Sequence, residues 1–183
     1  MLYRLFPWSP SADPREPGGA LHAPRFDQGD GRHDNPGVYG ALYLSRTAIS
    51  PVAEFLREYL GRPLDLRNLL EGGSHAALAT IEEGDLPGLV DLDEPANLVT
   101  RELRPSGVAT RTRKHTQRLA LNLYQEGAPG FAWWSTIESS WINVTVFDER
   151  AGDRLQLAEE PVPLTADHSV IPEAAAAIGV TLE

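Results

Sequence analysis

The stretch that most restricts the fold of this chain is residues 7–37, PWSPSADPREPGGALHAPRFDQGDGRHDNPG. It is dense in proline, glycine and aspartate, which favour turns over helices and strands. We therefore predict one long loop between a first strand at residues 2–6 and a second strand at residues 41–44. A loop of that length is uncommon inside a compact domain, and where it occurs it often carries function.

Beyond the loop, the spacing of apolar residues predicts further elements in mixed order. A helix follows the second strand, with Ser45 or Thr47 as its cap, Pro51 in its first turn and a stop at residues 61–63. The other predicted elements are strands at 76–81, 130–134, 141–147 and 155–157, and helices at 94–103, 111–126 and 171–178. Strand 141–147 alternates apolar residues with Asn143 and Thr145, which is typical of a half-buried strand. Because the strands are scattered rather than set in regular βαβ units, the pattern indicates a mixed α/β (α+β) fold.

Composition restricts the function of the chain more than its fold. With 183 residues, one domain with its own core is expected over residues 1–183. The net charge of −10 weighs against direct binding of nucleic acid. No apolar run is long enough to span a membrane, and we expect no secretory signal. The absence of cysteine excludes disulfides and thiolate chemistry and is consistent with a cytoplasmic protein.

Several polar residues stand where they could serve a site. Arg4 and Arg32 lie at a strand or loop and could bind phosphate, although a structural role is more common for an arginine. Tyr43 could stack on a flat ring or pack in the core. Glu54 lies in an apolar helical run, where a glutamate usually has a partner; the alternative is an exposed position beside Glu58.

Other motifs are absent or open to two interpretations. Ser135 follows two tryptophans in GFAWWST without the glycine pattern of a hydrolase elbow, so it is either a ligand contact or a turn serine. The five histidines have no metal-site spacing, and neither common nucleotide-binding glycine loop is present. The basic stretch, residues 101–118, is either a solvated helix face or a docking site for an acidic partner.

Taken in order, five segments resemble the RES domain family, which is named for its arginine, glutamate and serine. They are LYRLF, then GR followed by N-P, YGALYLSRTAISPVAEFL, TQRLALNLYQEGAPGFAWWS and INVTVF. The resemblance covers residues 2–147, which would form the core, with 148–183 as a C-terminal extension of the same domain. It implies a fold similar to that of ADP-ribosyltransferases related to diphtheria toxin.

The resemblance also implies an activity. RES proteins are typically toxins of bacterial toxin–antitoxin pairs that cleave the nicotinamide–ribose bond of NAD⁺, with phosphate or water as the acceptor. NAD⁺ is then a substrate, and no cofactor or metal is expected. The usual partner is an Xre-type helix-turn-helix antitoxin, with which the toxin can form an oligomer. Two alternatives remain open: an ADP-ribosyltransferase acting on a macromolecule, and a non-catalytic module that binds an antitoxin-like partner through the basic stretch.

Residue by residue, the resemblance assigns Arg32, Glu54 and Ser135 to catalysis. Arg4 is a second candidate for the family arginine. Tyr43, Trp134 and Asn35 are assigned, with Arg4, to substrate binding. The chain departs from the family pattern at residues 33–34, where His-Asp stands in place of the common Trp, and at residue 134, where Trp replaces the common Pro. Both departures are expected to border the pocket.

Overall fold

The computed structural model describes residues 1–61, 76–84 and 86–182. The strands are β1 (Leu2–Pro7), β2 (Ala41–Ser45), β3 (Ala76–Glu82), β4 (Val90–Asp91), β5 (Gly130–Trp134), β6 (Ile142–Phe147), β7 (Gln156–Leu157) and β8 (Val162–Pro163). The helices are α1 (Ile49–Leu56), α2 (Pro95–Thr100), α3 (Pro105–Val108), α4 (Arg113–Gln125), α5 (Asp148–Ala151) and α6 (Val170–Ile178). Short 3-10 turns lie at Arg25–Asp27, Arg57–Tyr59 and Gly152–Arg154. The predicted mixed α/β class is confirmed.

The strands form one sheet in the order β4-β5-β6-β2-β1-β3-β7, with β8 also paired to β3. Among the strand pairs of the described residues, β4–β5 is parallel and the others are antiparallel. The segment after residue 147 supplies β7 and β8 at one edge and α6, which packs on α1. This C-terminal segment therefore adds two strands to the edge of the sheet and a helix to one of its faces.

Both faces of the sheet are covered. On one face, buried side chains such as Leu42 and Val144 pack with Ala20 and Leu21 of the long loop. The other face is shared by two groups: α4 covers β5 and β6 around Phe131, while α1 and α6 cover β1 and β3. The middle of this second face, between α1 and α4, is where the candidate site lies.

Two local predictions are wrong. The cap of α1 is Ala48 and makes no side-chain hydrogen bond, because Ser45 Oγ instead donates to the Ile142 carbonyl and accepts from the Thr47 amide. Strand β6 is not half-buried: Asn143 is 5% exposed and Thr145 0%, because α1 covers Asn143 while the His33 side chain of the long loop covers Thr145. The predicted helix stop at residues 61–63 lies partly outside the described residues, although Gly61 has the positive φ of +80° typical of a helix end.

Candidate active site

A cavity of about 240 Å³ opens between α1 and α4, over the centre of the sheet. Three residues that the sequence singled out, Arg32, Tyr43 and Glu54, line this cleft together. Its other lining residues are Gly31, Leu44, Ser45, Pro51, Arg113, Trp133 and Asn143. The loop, strand and helix of residues 31–54 thus supply three walls of one cavity.

Strand alternation explains which side chains reach the cleft. Tyr43 pairs with Thr145 across β2 and β6, and Ser45 pairs with Asn143, so all four side chains lie on the same sheet face. Trp133 pairs with Asn143 across β5 and β6 and joins them. The residues between them on each strand point to the opposite face.

The Asp34 carboxylate organises the loop at the cleft wall. It accepts hydrogen bonds from the Gly29 amide (2.9 Å), the Gly31 amide (2.6 Å) and the Tyr43 hydroxyl (2.5 Å). A β-carbon at Gly31 would lie 2.4 Å from the carboxylate oxygens, so this close approach requires glycine. The Tyr43 hydroxyl also accepts from the His33 amide at 2.8 Å. Both hydrogen-bonding directions of the hydroxyl are therefore used inside the protein, which leaves the ring as the part of Tyr43 available to a ligand.

His33 is buried beneath the cleft in an aromatic cluster. Its ring lies 4.7 Å from Phe131, 4.9 Å from Trp133 and 5.9 Å from Tyr43, measured between centroids. Burial, followed by the charges of nearby arginines, holds the pKa of His33 well below its ordinary value of 6.5. The imidazole is therefore neutral, and Nδ1 lies 2.8 Å from Thr145 Oγ1, which also accepts from Trp133 Nε1. The His33 ring is therefore part of the aromatic packing beneath the cleft.

Arg32 is buried at the cleft wall, 9% exposed. Its guanidinium donates to the Thr110 carbonyl and to Thr136 Oγ1, and it lies over the Trp133 ring at 5.1 Å. Burial and the neighbouring Arg113 lower its pKa from 12.5, and the Glu54 carboxylate opposes that shift. An arginine has five N–H donors, so the group keeps donors for a ligand after these two contacts.

Glu54 faces the cleft from α1. Its side chain is open to water on one side, yet the surrounding protein is close enough that burial raises its pKa above 4.5. The charges of Arg32, Arg57 and Arg113 oppose this rise, as does the hydrogen bond that Asn143 Nδ2 donates to Oε1 at 3.5 Å. The result is one carboxylate among arginines in a partly desolvated cavity.

Arg4 lies elsewhere. It alternates with Tyr3, which pairs with Ser45 on the cleft face, so Arg4 points to the opposite face of the sheet. There its guanidinium donates to the Ala20 carbonyl (2.6 Å) and the His22 carbonyl (2.9 Å) and fastens the long loop. Burial lowers its pKa to about 10. The structure thus gives Arg4 a structural position in place of the expected phosphate contact.

The other three predicted residues, Trp134, Ser135 and Asn35, are not among those that line the cleft. Trp134 alternates with Trp133, and it is Trp133 that lines the cavity. Ser135 is 3% exposed; its Oγ accepts from the Ile137 amide, and its neighbour Thr136 contacts Arg32. Asn35 donates to the Tyr39 hydroxyl and the Gln117 carbonyl, holding the loop against α4.

The sequence interpretation missed Arg113, Trp133 and Asn143 as cleft residues. Arg113 was grouped with the basic stretch, although its place at the start of a predicted helix was visible. Asn143 stood out as a polar residue in the apolar run INVTVF. Trp133 had no signal that separated it from its neighbour, because only strand pairing decides which of two adjacent tryptophans faces the cleft.

A second, open cavity of about 640 Å³ runs along α4 on the other side of the 29–35 loop. It is lined by Asn35, Thr112, Lys114, His115, Gln117, Arg118 and Leu121, and we call it the α4 groove. Gln117 donates to the Gly29 and Gly31 carbonyls, so the same loop separates the groove from the cleft. Within the described residues, Arg101 is paired with Glu126, whereas no ion pair is found for Lys114 or Arg118.

Metal-binding clusters and membrane-spanning helices are both absent from the part of the chain that the structure describes. Among those residues, no group of three or more His, Asp or Glu side chains is arranged to hold a metal ion. No helix there has the length and apolar character needed to cross a membrane.

The fold and the cleft define a class: a single α/β domain with one carboxylate set among arginines and aromatic rings. The model of the RES domain matches residues 1–167 of the chain. The chain therefore belongs to the RES domain family.

Among solved structures, the chain is similar to one in the crystal structure of the M. tuberculosis MbcT–MbcA toxin–antitoxin complex. The likeness has a TM-score of 0.69 at 21% sequence identity and covers 96% of this chain and 88% of the other. It confirms the expected fold over nearly the whole chain. No curated protein matches the sequence.

Proposed function

We propose that this protein cleaves the bond between nicotinamide and ribose in NAD⁺. The observation that carries the proposal is the meeting of Glu54, Arg32 and Arg113 with the Tyr43 and Trp133 rings in one cavity. NAD⁺ presents an anionic pyrophosphate, a flat cationic ring and a ribose that becomes positive during cleavage. The cleft offers a complementary group for each part, and membership of the RES family supports the assignment.

Glu54 would act on the ribose. Loss of nicotinamide builds positive charge on the ribose, as in the oxocarbenium-like transition state of glycoside cleavage. An ionised carboxylate in a partly desolvated cleft stabilises that charge more strongly than it would in water. Nicotinamide leaves without excess charge, so the step requires no strong general acid, and the neutral, buried His33 has no part in it.

The arginines would bind the pyrophosphate. Arg113 stands exposed at the first turn of α4, where the helix dipole adds to its attraction for anions. Arg32 has donors left and is held rigidly by its contacts with Thr110 and Thr136. Tyr43 and Trp133 would flank the nicotinamide ring, and Ser135 would support the turn that carries Thr136. Water or phosphate would be the acceptor.

The direct test is incubation of the purified protein with NAD⁺, with and without phosphate, followed by separation of the products. We expect nicotinamide together with ADP-ribose in water or ADP-ribose 1-phosphate in phosphate. Glu54→Gln is the informative variant, and Glu173→Gln, exposed on α6, is the matched control. A folded wild type that releases no nicotinamide in either buffer contradicts the proposal. Label from NAD⁺ attached to a macromolecule would indicate an ADP-ribosyltransferase instead.

We further propose that the protein is the toxin of a toxin–antitoxin pair and that an acidic segment of its partner lies in the α4 groove. Residues 101–118 carry six Lys and Arg residues and one acidic residue, a net +5. The rest of the chain carries ten Lys and Arg and 25 acidic residues, a net −15. Such a localised field attracts an acidic polypeptide while the remaining surface repels it. An antitoxin of the helix-turn-helix type is the partner that the family suggests.

Two measurements test this. Expression in a bacterial host should arrest growth, Glu54→Gln should abolish the arrest, and co-expression of an adjacent helix-turn-helix gene should relieve it. Separately, a labelled glutamate-rich peptide should bind wild type in a fluorescence anisotropy assay. Lys114→Glu with Arg118→Glu should abolish that binding, whereas Arg46→Glu, outside the stretch, should leave most of it. Binding of duplex DNA in place of the acidic peptide would overturn the assignment of the groove.

A further inference from the structure

Asn143 and Ser50 form a buried pair directly behind the Glu54 carboxylate. Ser50 is 0% exposed and Asn143 is 5% exposed. Ser50 Oγ donates to Asn143 Oδ1 at 2.9 Å, and Asn143 Nδ2 donates to Glu54 Oε1 at 3.5 Å. Ser50 and Glu54 are four residues apart on α1, so they lie on the same helix face. The Asn143 side chain, which comes from the central strand β6, therefore connects two successive turns of the helix.

The chemistry of the three groups determines the direction of these hydrogen bonds. A carboxylate only accepts, so the amide NH₂ of Asn143 must face Glu54 and its oxygen must face Ser50. A serine hydroxyl can donate to that oxygen, so the amide orientation that the carboxylate requires also satisfies Ser50 and holds the Asn143 side chain at its far end. The helix thus holds its own glutamate in place by way of a strand residue.

We propose that Asn143, held by Ser50, is a positioning residue that occupies Oε1 of Glu54 and leaves Oε2 to face the ribose. The predicted effect on activity rests on the proposed cleavage of NAD⁺, whereas the predicted hydrogen bonds to Glu54 do not. The 3.5 Å separation is at the long limit of a hydrogen bond, and such contacts commonly tighten when a substrate is bound. A glutamate with one fixed oxygen loses less freedom on reaching the transition state than a freely rotating one.

Three substitutions separate positioning from space filling. Asn143→Ala removes the donor, and Asn143→Asp keeps the shape but replaces the donor with an acceptor. We expect Asn143→Ala to lower kcat/KM about 10- to 100-fold, the range for a hydrogen bond to a charged group, with most of the loss in kcat. Asn143→Asp should be at least as damaging, although it is the closer copy of asparagine. Ser50→Ala should lower kcat/KM by a smaller factor, and Asn122→Ala, on the exposed face of α4, is the matched control.

A double-mutant cycle shows whether Asn143 acts through Glu54. In a Glu54→Gln background, Asn143→Ala should cost less than about threefold more, because the group it positions is already neutral. An equal factor in both backgrounds overturns the proposal. So does an Asn143→Asp variant that is as active as wild type.

A second readout does not depend on activity. The pKa of Glu54, followed by carbon-detected NMR of its carboxyl group, should rise in Asn143→Ala and in Ser50→Ala and stay constant in Asn122→Ala. If the pKa of Glu54 is unchanged in both Asn143→Ala and Ser50→Ala, the positioning role of these two residues is refuted even if NAD⁺ is cleaved. If NAD⁺ is not cleaved but the pKa rises as expected, the proposed function fails while the positioning pair stands.

Discussion

Removal of one hydroxyl group, in Tyr43→Phe, tests how the cleft wall is held. The hydroxyl donates to Asp34 at 2.5 Å and accepts from the His33 amide at 2.8 Å. A hydrogen bond to a charged group contributes about 1.5–3 kcal/mol, and a backbone N–H left without a partner costs about 1–3 kcal/mol. Asp34 keeps its two amide donors, and Tyr43 is only partly buried, so the lower ends of both ranges apply. We expect a loss of about 2.5 kcal/mol in the free energy of unfolding.

For a chain of 183 residues, that loss corresponds to a fall in Tm of about 5–10 °C. Thermal unfolding followed by circular dichroism measures it, and urea unfolding gives the free energy directly. Tyr3→Phe is the matched control: Tyr3 lies on the same sheet face, and no hydrogen bond of its hydroxyl is found among the described residues. If Tyr43→Phe and Tyr3→Phe unfold at the same temperature, the hydroxyl does not anchor the loop and our account of the 29–35 wall is refuted.

Three further predictions concern charge and burial. Burial raises the folded-state pKa of Glu54 above its ordinary value of 4.5, so the ionised carboxylate destabilises the folded protein. Glu54→Gln should therefore be more stable than wild type at pH 8, and this gain should vanish as pH falls below 4.5. An equal gain at pH 4 and pH 8, measured by urea unfolding, contradicts this prediction. Because the pKa of His33 is depressed in the folded protein, wild type should lose stability as pH falls below 6.5. His33 contributes at most about 1.4 kcal/mol per pH unit to this loss. His33→Gln should remove this contribution, whereas His115→Gln, at an exposed position, should keep it. Arg4→Gln should lower Tm by several degrees, because it removes the hydrogen bonds to the Ala20 and His22 carbonyls, and should leave KM for NAD⁺ unchanged. A large rise in KM would indicate instead that Arg4 contacts the substrate.

Much of the fold follows from local pattern. The apolar spacing of α4, the strand propensity of INVTVF and the turn residues of the long loop are properties of short windows, and the structure has these elements within a few residues of their predicted bounds. The two-residue strands β4 and β8 were not predicted. A strand that short has no periodicity of its own and exists only because a longer neighbour pairs with it.

Some cleft residues could likewise be predicted from a short stretch of sequence, and others could not. Loop, strand and helix follow one another along residues 31–54, so the sequence alone placed Arg32, Tyr43 and Glu54 near each other. Asn143 and Arg113 come from elements about 60 to 90 residues further along the chain, and no local signal connects them to Glu54.

Assignments that depend on strand pairing required the three-dimensional structure. A side chain on a strand faces one side of the sheet or the other, and a shift of one residue reverses that choice. This is why Arg4 binds loop carbonyls on the far face, and why Trp133 lines the cavity where Trp134 was expected. The residue types available for the chemistry follow from the composition of the chain. Which of them meet follows from the register of β1, β2, β5 and β6, because that register is set by hydrogen bonds between strands and not by any local pattern.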